Sequence, residues 1–158
     1  MGEIIYRQAV KEDYEKIHLV VKEGQDLHAF NRPDIFQSVE ILFPQDYFNK
    51  IVSGEDTAFF VAEDQGEICG FAVVEIKHSS NHPSSTKRTY GYVSFMGVLK
   101  SHQRKGIGGN LYNLIVNWCK QKGVSRLELR VWSFNEAAVK FFLKKGFVED
   151  FKQLSIPL

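Results

Sequence analysis

Val98-Leu99-Lys100-Ser101-His102-Gln103-Arg104-Lys105-Gly106-Ile107-Gly108-Gly109-Asn110-Leu111 is the stretch whose reading decides the fold. An apolar, aromatic run from Tyr90 to Leu99 leads into it and reads as a strand. A polar turn follows, then glycines at 106, 108 and 109, then a helical pattern. Glycine permits a tight turn and removes the Cβ atoms that would hold a ligand away. The helix start adds unpaired N–H groups and the positive end of the helix dipole. Strand, glycine turn and helix in that order form a seat for a phosphate or pyrophosphate. Arg104 and Lys105 bring positive charge to the same turn.

Two phosphate loops can be tested against it. The dinucleotide fingerprint G-x-G-x-x-G lacks its first glycine here, with Arg104 in that place. The Walker loop needs Gly-Lys-Ser or Gly-Lys-Thr, and neither occurs in the chain. What stands here is Gln103-x-x-Gly106-x-Gly108. It resembles the acyl-CoA pyrophosphate loop, Q/R-x-x-G-x-G/A, of the GNAT superfamily of N-acetyltransferases. An ordinary glycine-rich strand-to-helix turn would read the same way from this loop alone.

Outward from the loop, Ile107, Leu111, Leu114, Ile115 and Trp118 mark one face of a helix that ends at Lys122-Gly123. Arg126 to Trp132 alternates, with Leu127, Leu129 and Val131 on one face of a strand. Asn135 is placed to cap a last helix that ends at Gly146, and Phe147 to Leu158 reads as a final strand, with Leu154, Ile156 and Leu158 in alternation. Before the loop, residues 3–9 read as a first strand. A helix over Glu12 to Phe30 is broken or kinked at Gly24, and a second helix runs from Pro44 to Val52. Thr57–Glu63 and Ile68–Lys77 form a hairpin around Asp64-Gln65-Gly66-Glu67, and a polar loop spans 78–88. The expected order is β-α-α-β-β-β-α-β-α-β: an α/β fold of the α+β type, a central mixed sheet with helices on both faces.

Residues 1–158 are expected to be a single domain, with a 44% hydrophobic and 25% charged composition typical of soluble globular chains. A net charge of +1 provides no field toward nucleic acid or anionic lipid. No apolar run approaches the ~18 residues of a membrane span, and the N-terminus carries neither a signal-peptide nor a myristoylation pattern. Cys69 and Cys119 each lie in an apolar segment, which points to buried free thiols and a cytoplasmic protein.

A second stretch strengthens the resemblance. Asn135-x-x-Ala138-x-x-Phe141-Phe142-x-x-x-Gly146-Phe147 is similar to the superfamily's N-x-x-A-x-x-[FL]-Y-x-x-x-G-F, and it follows the glycine loop by one helix and one strand. The element order fits the superfamily over nearly the whole chain. The resemblance implies a GNAT domain that binds acetyl-CoA, needs no metal, and acetylates an amine. It implies that pantetheine lies between the strands flanking the loop helix, against the backbone of Met96, Gly97 and Val98. The pyrophosphate would rest on the N–H groups of Gln103, Arg104, Lys105, Gly106, Ile107, Gly108 and Gly109. Asn135 would bond near the pantetheine arm, Ala138 and Phe141 would line the cofactor wall, and Lys144 would reach the adenosine phosphates.

The chemistry needs a base for an amine protonated near neutral pH. The Val98 N–H is the expected donor to the thioester oxygen. Tyr92 occupies the position where some relatives carry a glutamate base, and Ser94 shares its face and could hold a water. Phe142 replaces the tyrosine that serves many relatives as an acid, and phenylalanine donates no proton. Another group then protonates the thiolate, or it leaves unaided, as a thiol of pKa near 8.5 allows, or the protein binds acyl-CoA without turnover.

The segment Gln25–Phe36, with His28, Phe30, Arg32 and Asp34, corresponds to the acceptor side, and Asp34 or Glu40 could hold an ammonium. Trp132 and Phe134 could wall the site or seal a dimer edge. A metal at His78 and His82 is not expected without Cys or acidic neighbours. Three readings remain: an N-acetyltransferase, a non-catalytic acyl-CoA-binding or regulatory domain, and a nucleotide-binding module using the same loop.

Overall fold

The computed structural model describes residues 2–158. Its sheet has strands β1 (Ile5–Gln8), β2 (Thr57–Asp64), β3 (Glu67–His78), β4 (Thr89–Val98) and β5 (Leu127–Leu129), side by side in chain order. The first four pair antiparallel, and α3 (Ile107–Gln121) returns the chain to lay β5 parallel to β4. α1 (His18–Asn31) and α2 (Gln45–Ser53) lie on one face, where Phe48 of α2 packs edge-on against Phe59 of β2 at 5.2 Å. α3 covers the other face so closely that a Cβ on Gly70 would come 3.0 Å from Ile107 and 3.2 Å from Leu111. α4 (Glu136–Lys144) follows β5. The expected mixed sheet between two helical layers is what the chain forms.

The sheet's centre holds the core. In β3 seven consecutive residues, Ile68 to Val74, are buried. Phe43, Phe48 and Phe59 are fully buried beneath α2. Each side chain of that size withdrawn from water contributes about 1.5–3 kcal/mol, enough to fix β2 and β3 as a rigid floor for β4.

Four expectations are corrected. The first helix begins at His18 rather than Glu12. Asp13 is buried and accepts from Arg7 Nη1 at 2.6 Å, Arg7 Nη2 at 2.8 Å and the Val10 N–H at 2.8 Å. That network holds Lys11–Asp13 as a 3-10 turn against β1, so the helix starts beyond it. Gly24 neither breaks nor kinks α1 in a way that ends it: helical bonding runs through to Asn31.

The last two concern the far edge. β5 stops at Leu129 instead of reaching Trp132, because its ladder with β4 ends at Val93↔Leu129. The final strand over Phe147–Leu158 does not form, and Leu154, Ile156 and Leu158 stand exposed. A strand needs a ladder partner, and β5 offers three residues; the tail is held instead by an Arg126–Asp150 ion pair at 2.9 Å.

Candidate functional site

The gap between β4 and β5 follows from one irregularity. The β3–β4 register shifts between Val73 and Val74, opposite Val93 and Phe95, so Ser94 is the extra residue of a bulge. Before it, Ser79 N–H donates to the Arg88 carbonyl at 2.9 Å, which sets Arg88, Tyr90 and Tyr92 to bond β3. Gly91 N–H donates to the Arg126 carbonyl at 2.9 Å on the β5 side. After the bulge, Leu99 N–H donates to the Cys69 carbonyl at 2.9 Å, so Leu99, Gly97 and Phe95 turn to β3. Met96 and Val98 then turn their N–H and C=O groups toward β5, where β5 has already departed.

This places the expected pantetheine residues unequally. Met96 and Val98 present backbone to the gap, and Gly97 does not: its backbone faces Phe71 on β3. Glycine at 97 serves packing, since a Cβ there would lie 3.0 Å from Phe71 Cε1. The Val98 carbonyl accepts from Gln103 Nε2 at 3.0 Å, which leaves the Val98 N–H as its free group. The Gln103 side chain thus braces the loop, and the Gln103 N–H, expected in the pyrophosphate seat, donates instead to the Lys100 carbonyl at 3.4 Å.

The loop closes one end of the gap. Arg104 and Gly106 are left-handed, with φ of 61° and 81°. The first internal bond of α3 is Asn110 N–H to the Gly106 carbonyl at 3.1 Å, and no side chain caps the helix. The N–H groups of Arg104, Lys105, Gly106, Ile107, Gly108 and Gly109 therefore meet no acceptor of the described chain and form a collar of donors, a concavity that suits an anion. A Cβ on Gly108 would stand 3.6 Å from Phe141 and 3.7 Å from Met96, narrowing the gap's end.

Three further bonds stiffen the collar. Lys105 Nζ donates to the Ser101 carbonyl at 2.9 Å. His102 bridges Ser101 Oγ at 2.8 Å and Asp64 Oδ2 at 3.1 Å, and holds the Asp64 carboxyl below its ordinary range. Lys145 also stands beside the collar, its ammonium 3.8 Å from the Cβ position of Gly109 and 5.1 Å from the Tyr112 ring centre. Lys144, the expected phosphate ligand, and Lys145 are both exposed.

α4 forms the opposite wall. Asn135 Oδ1 accepts from the Ala138 N–H at 3.3 Å and caps the helix, while Asn135, Ala138 and Phe142 line the cleft. Phe142 is buried edge-on between Phe141 at 5.1 Å and Phe147 at 5.4 Å.

Tyr92 and Ser94 line the cleft from the face that α1 and α2 cover. Ser94 Oγ donates to Glu75 Oε1 at 2.7 Å. Lys77 Nζ lies 3.2 Å from the same oxygen and 3.9 Å from the Tyr92 ring centre. Burial, and after it the Glu75 carboxylate, pushes the Tyr47 phenol up. Glu75 is a residue that sequence reasoning missed; its signal was a carboxylate interrupting an apolar strand.

Above these groups stands an aromatic wall: His28–Phe36 at 5.2 Å, Phe36–Trp132 at 5.5 Å and Trp132–Phe134 at 5.9 Å. Arg32 lies over Trp132 at 5.1 Å while paired with Asp34 at 2.7 Å, and Glu40 is turned to Lys22 at 3.6 Å. Neither carboxylate is a free ammonium ligand. Phe30 is 85% exposed, away from the cleft.

Cys69 and Cys119 are buried with thiols pushed up by burial, and neither lines the cleft. His78 bonds Thr89 and His82 bonds Ser84. Among the described residues no cluster of His, Cys, Asp or Glu could hold a metal, and no helix is long and apolar enough to cross a membrane.

Comparison with known proteins gives a consistent result. The Acetyltransferase (GNAT) family matches residues 24–147. An uncharacterized N-acetyltransferase of Methanocaldococcus jannaschii is 29% identical over 103 residues, 65% of this chain and 44% of the relative. An N-alpha-acetyltransferase of Sulfurisphaera tokodaii is 29% identical over 112 residues, 68% of this chain and 66% of the relative. The chain thus matches about half to two thirds of those relatives' lengths. Among solved structures, a mutant of the BH1408 protein of Bacillus halodurans superposes with a TM-score of 0.91 at 27% identity, covering 98% of this chain and 99% of its own. AAC(6')-Iy in complex with a bisubstrate analog of CoA shares the fold with a TM-score of 0.70 at 18% identity, covering 99% of each chain.

Proposed function

The chain belongs to the Acetyltransferase (GNAT) family, and from that premise we propose that it transfers the acetyl group of acetyl-CoA to a primary amine by direct attack in a ternary complex. The observation that carries the reading is the collar: unpaired N–H groups from Arg104 to Gly109 at the end of a gap lined by the backbone of Met96 and Val98. The fit to a pyrophosphate followed by an amide-bearing arm is chemical. An anion satisfies several converging donors, and the arm's amides satisfy strand groups that would otherwise go unpaired.

Acetyl-CoA supplies an activated acyl carbon. The amine's lone pair forms the new C–N bond, the C–S bond breaks, and CoA leaves as a thiolate. The Val98 and Met96 N–H groups are the donors available to the carbonyl oxygen as its charge grows. Phe142 offers the thiolate no proton, and a thiol of pKa near 8.5 leaves adequately without one. The net charge of +1 favours a small amine or a protein amine over nucleic acid, and two buried free thiols suit the cytoplasm. The open edge of β5 offers a surface for a homodimer, which sedimentation would reveal.

Calorimetry with CoA and with ATP, followed by thiol release from acetyl-CoA across an amine panel, tests this reading. CoA binding stronger than ATP binding, with release above background for at least one amine, is expected. Preference for ATP would favour a nucleotide-binding module. CoA binding without release for any amine would favour a non-catalytic acyl-CoA-binding domain, the reading that Phe142 keeps alive.

A further inference from the structure

We infer that Glu75, acting through the hydroxyl of Ser94, receives the proton of the incoming ammonium, a step that rests on the acetyl-transfer reading above. Glu75 is the cross-strand partner of Tyr92 and follows seven buried residues on β3. A carboxylate at such a position is costly unless its oxygens are bonded. Here one oxygen, Oε1, receives both the Ser94 hydroxyl at 2.7 Å and the Lys77 ammonium at 3.2 Å. Ser94 lines the cleft and Glu75 stands behind it, so among the described residues the Ser94 hydroxyl is a side-chain link from the cleft to the carboxylate.

Ser94 is the inserted residue of the bulge, on the same face as Tyr92 and its cross-strand partner Glu75, and its hydroxyl turns to Glu75. Because the hydroxyl's hydrogen is committed to Glu75, its lone pairs remain to accept from a donor in the cleft.

The proton balance closes without a co-reactant. The acceptor enters as an alkylammonium. Its first N–H proton passes to Ser94 Oγ as the Ser94 hydroxyl proton passes to Glu75 Oε1, and the nitrogen lone pair is freed for the acyl carbon; the second N–H proton, lost once the C–N bond has formed, goes to the departing CoA thiolate or to water. Glu75, with a third of its side chain exposed, returns the proton to water. The groups facing Glu75 are Lys77 on its own strand, Tyr92 and Ser94 on β4, and Tyr47 on α2. Lys77 pairs with the carboxylate at 3.2 Å. Ser94 is the group that touches the acceptor; Glu75 is a positioning residue and proton sink. The substrate class this serves is an alkylamine that arrives protonated, since a neutral arylamine needs no deprotonation before it attacks.

The test measures kcat/KM against pH for wild type, Glu75→Gln, Glu75→Asp and Ser94→Ala. The acceptors are spermidine, glucosamine 6-phosphate, kanamycin and a tetrapeptide with a free α-amine, taking the one with the fastest release. At pH 7 Glu75→Gln and Ser94→Ala should lose about 100-fold, and Glu75→Asp should recover part of that loss. At pH 10.5, where an alkylamine has largely shed its own proton, the loss should shrink to within about threefold. The KM for acetyl-CoA and the rise in melting temperature with CoA should match wild type. A loss equal at every pH, or no loss, overturns the inference and leaves acetyl transfer standing. A wild type that binds CoA yet acetylates none of the four overturns both, and wild type alone reveals it.

Discussion

Replacing Gly106 with valine separates the collar's role in binding from its role in folding. Gly106 has a φ of 81° and a ψ of −1°, and a Cβ built on it meets nothing within 4 Å. Gly66, in the β2–β3 turn, is the matched control: its φ is 88°, and a Cβ there also meets nothing within 4 Å. In both places the cost is backbone strain alone, about 1–3 kcal/mol for a β-branched residue forced to positive φ. At roughly 2–4 °C per kcal/mol for a domain of this size, each variant should melt about 2–12 °C lower. Only Gly106→Val should lose CoA as well. If the strain relaxes by rotation toward negative φ, the adjoining peptide N–H swings out of the collar. A hydrogen bond to a charged oxygen contributes about 1.5–3 kcal/mol, so the loss of one donor weakens CoA roughly 10- to 150-fold. Calorimetry well below both melting points reads the difference. CoA affinity of Gly106→Val within threefold of Gly66→Val would refute the collar as the pyrophosphate seat.

Three further outcomes follow from named contacts. Lys145→Ala should weaken CoA about fivefold at low salt and flatten the salt dependence of its affinity, while Lys144→Ala changes neither, as calorimetry at two ionic strengths would show. Phe142→Tyr should raise kcat no more than about threefold if, as proposed, the thiolate leaves unaided; a tenfold gain would mean a native site lacking its acid. Asp13 is held below the usual carboxylate range, first by its hydrogen bonds from Arg7. Its folded pKa is depressed, so its contribution is complete above the unfolded pKa of about 3.9 and is lost as pH falls through the folded value. Urea midpoints between pH 2 and 7 should therefore fall less steeply on the acid side for Asp13→Asn than for wild type.

What could be read from the sequence was local. The glycine loop was legible because positive φ and a bare helix N-terminus constrain neighbouring residues, whatever the tertiary context. Gly106 and Asn135 take the backbone and capping roles that their types suggest. The Ser94 bulge was illegible, since register there is decided by the pairing of Val93 with Val74 and of Phe95 with Val73, 19 and 22 residues away in sequence. That one shift reverses which backbone groups face the gap, and so the reading assigned Gly97 to a ligand when it belongs to Phe71. That Lys145 stands beside Gly109 was illegible for a similar reason. Adjacent helical residues point about 100° apart, and only the docked angle of α4 selects one. The alternation of Leu154, Ile156 and Leu158 was a strand signal without a ladder to join.

The same bulge explains why the two substrates need not compete for one entrance. On β4 the side chains before it, Tyr92 among them, face α1 and α2, as the contact of Lys77 with the Tyr92 ring requires. An unbroken strand would continue that alternation and would send Phe95 toward α3. With one residue inserted, Phe95 packs on Phe43 beside α2 at 4.9 Å, and Met96 reaches the Gly108 and Phe141 side. The strand therefore presents a hydroxyl and rings to one face, a thioether to the other, and free amides along the edge between them. Under the acetyl transfer proposed above, a carrier seated on those amides would meet the anion collar on the α3 side, and an amine entering through the aromatic wall would meet Ser94 on the α1 side. Direct attack would need that separation, because both substrates would have to be bound before the C–N bond could form.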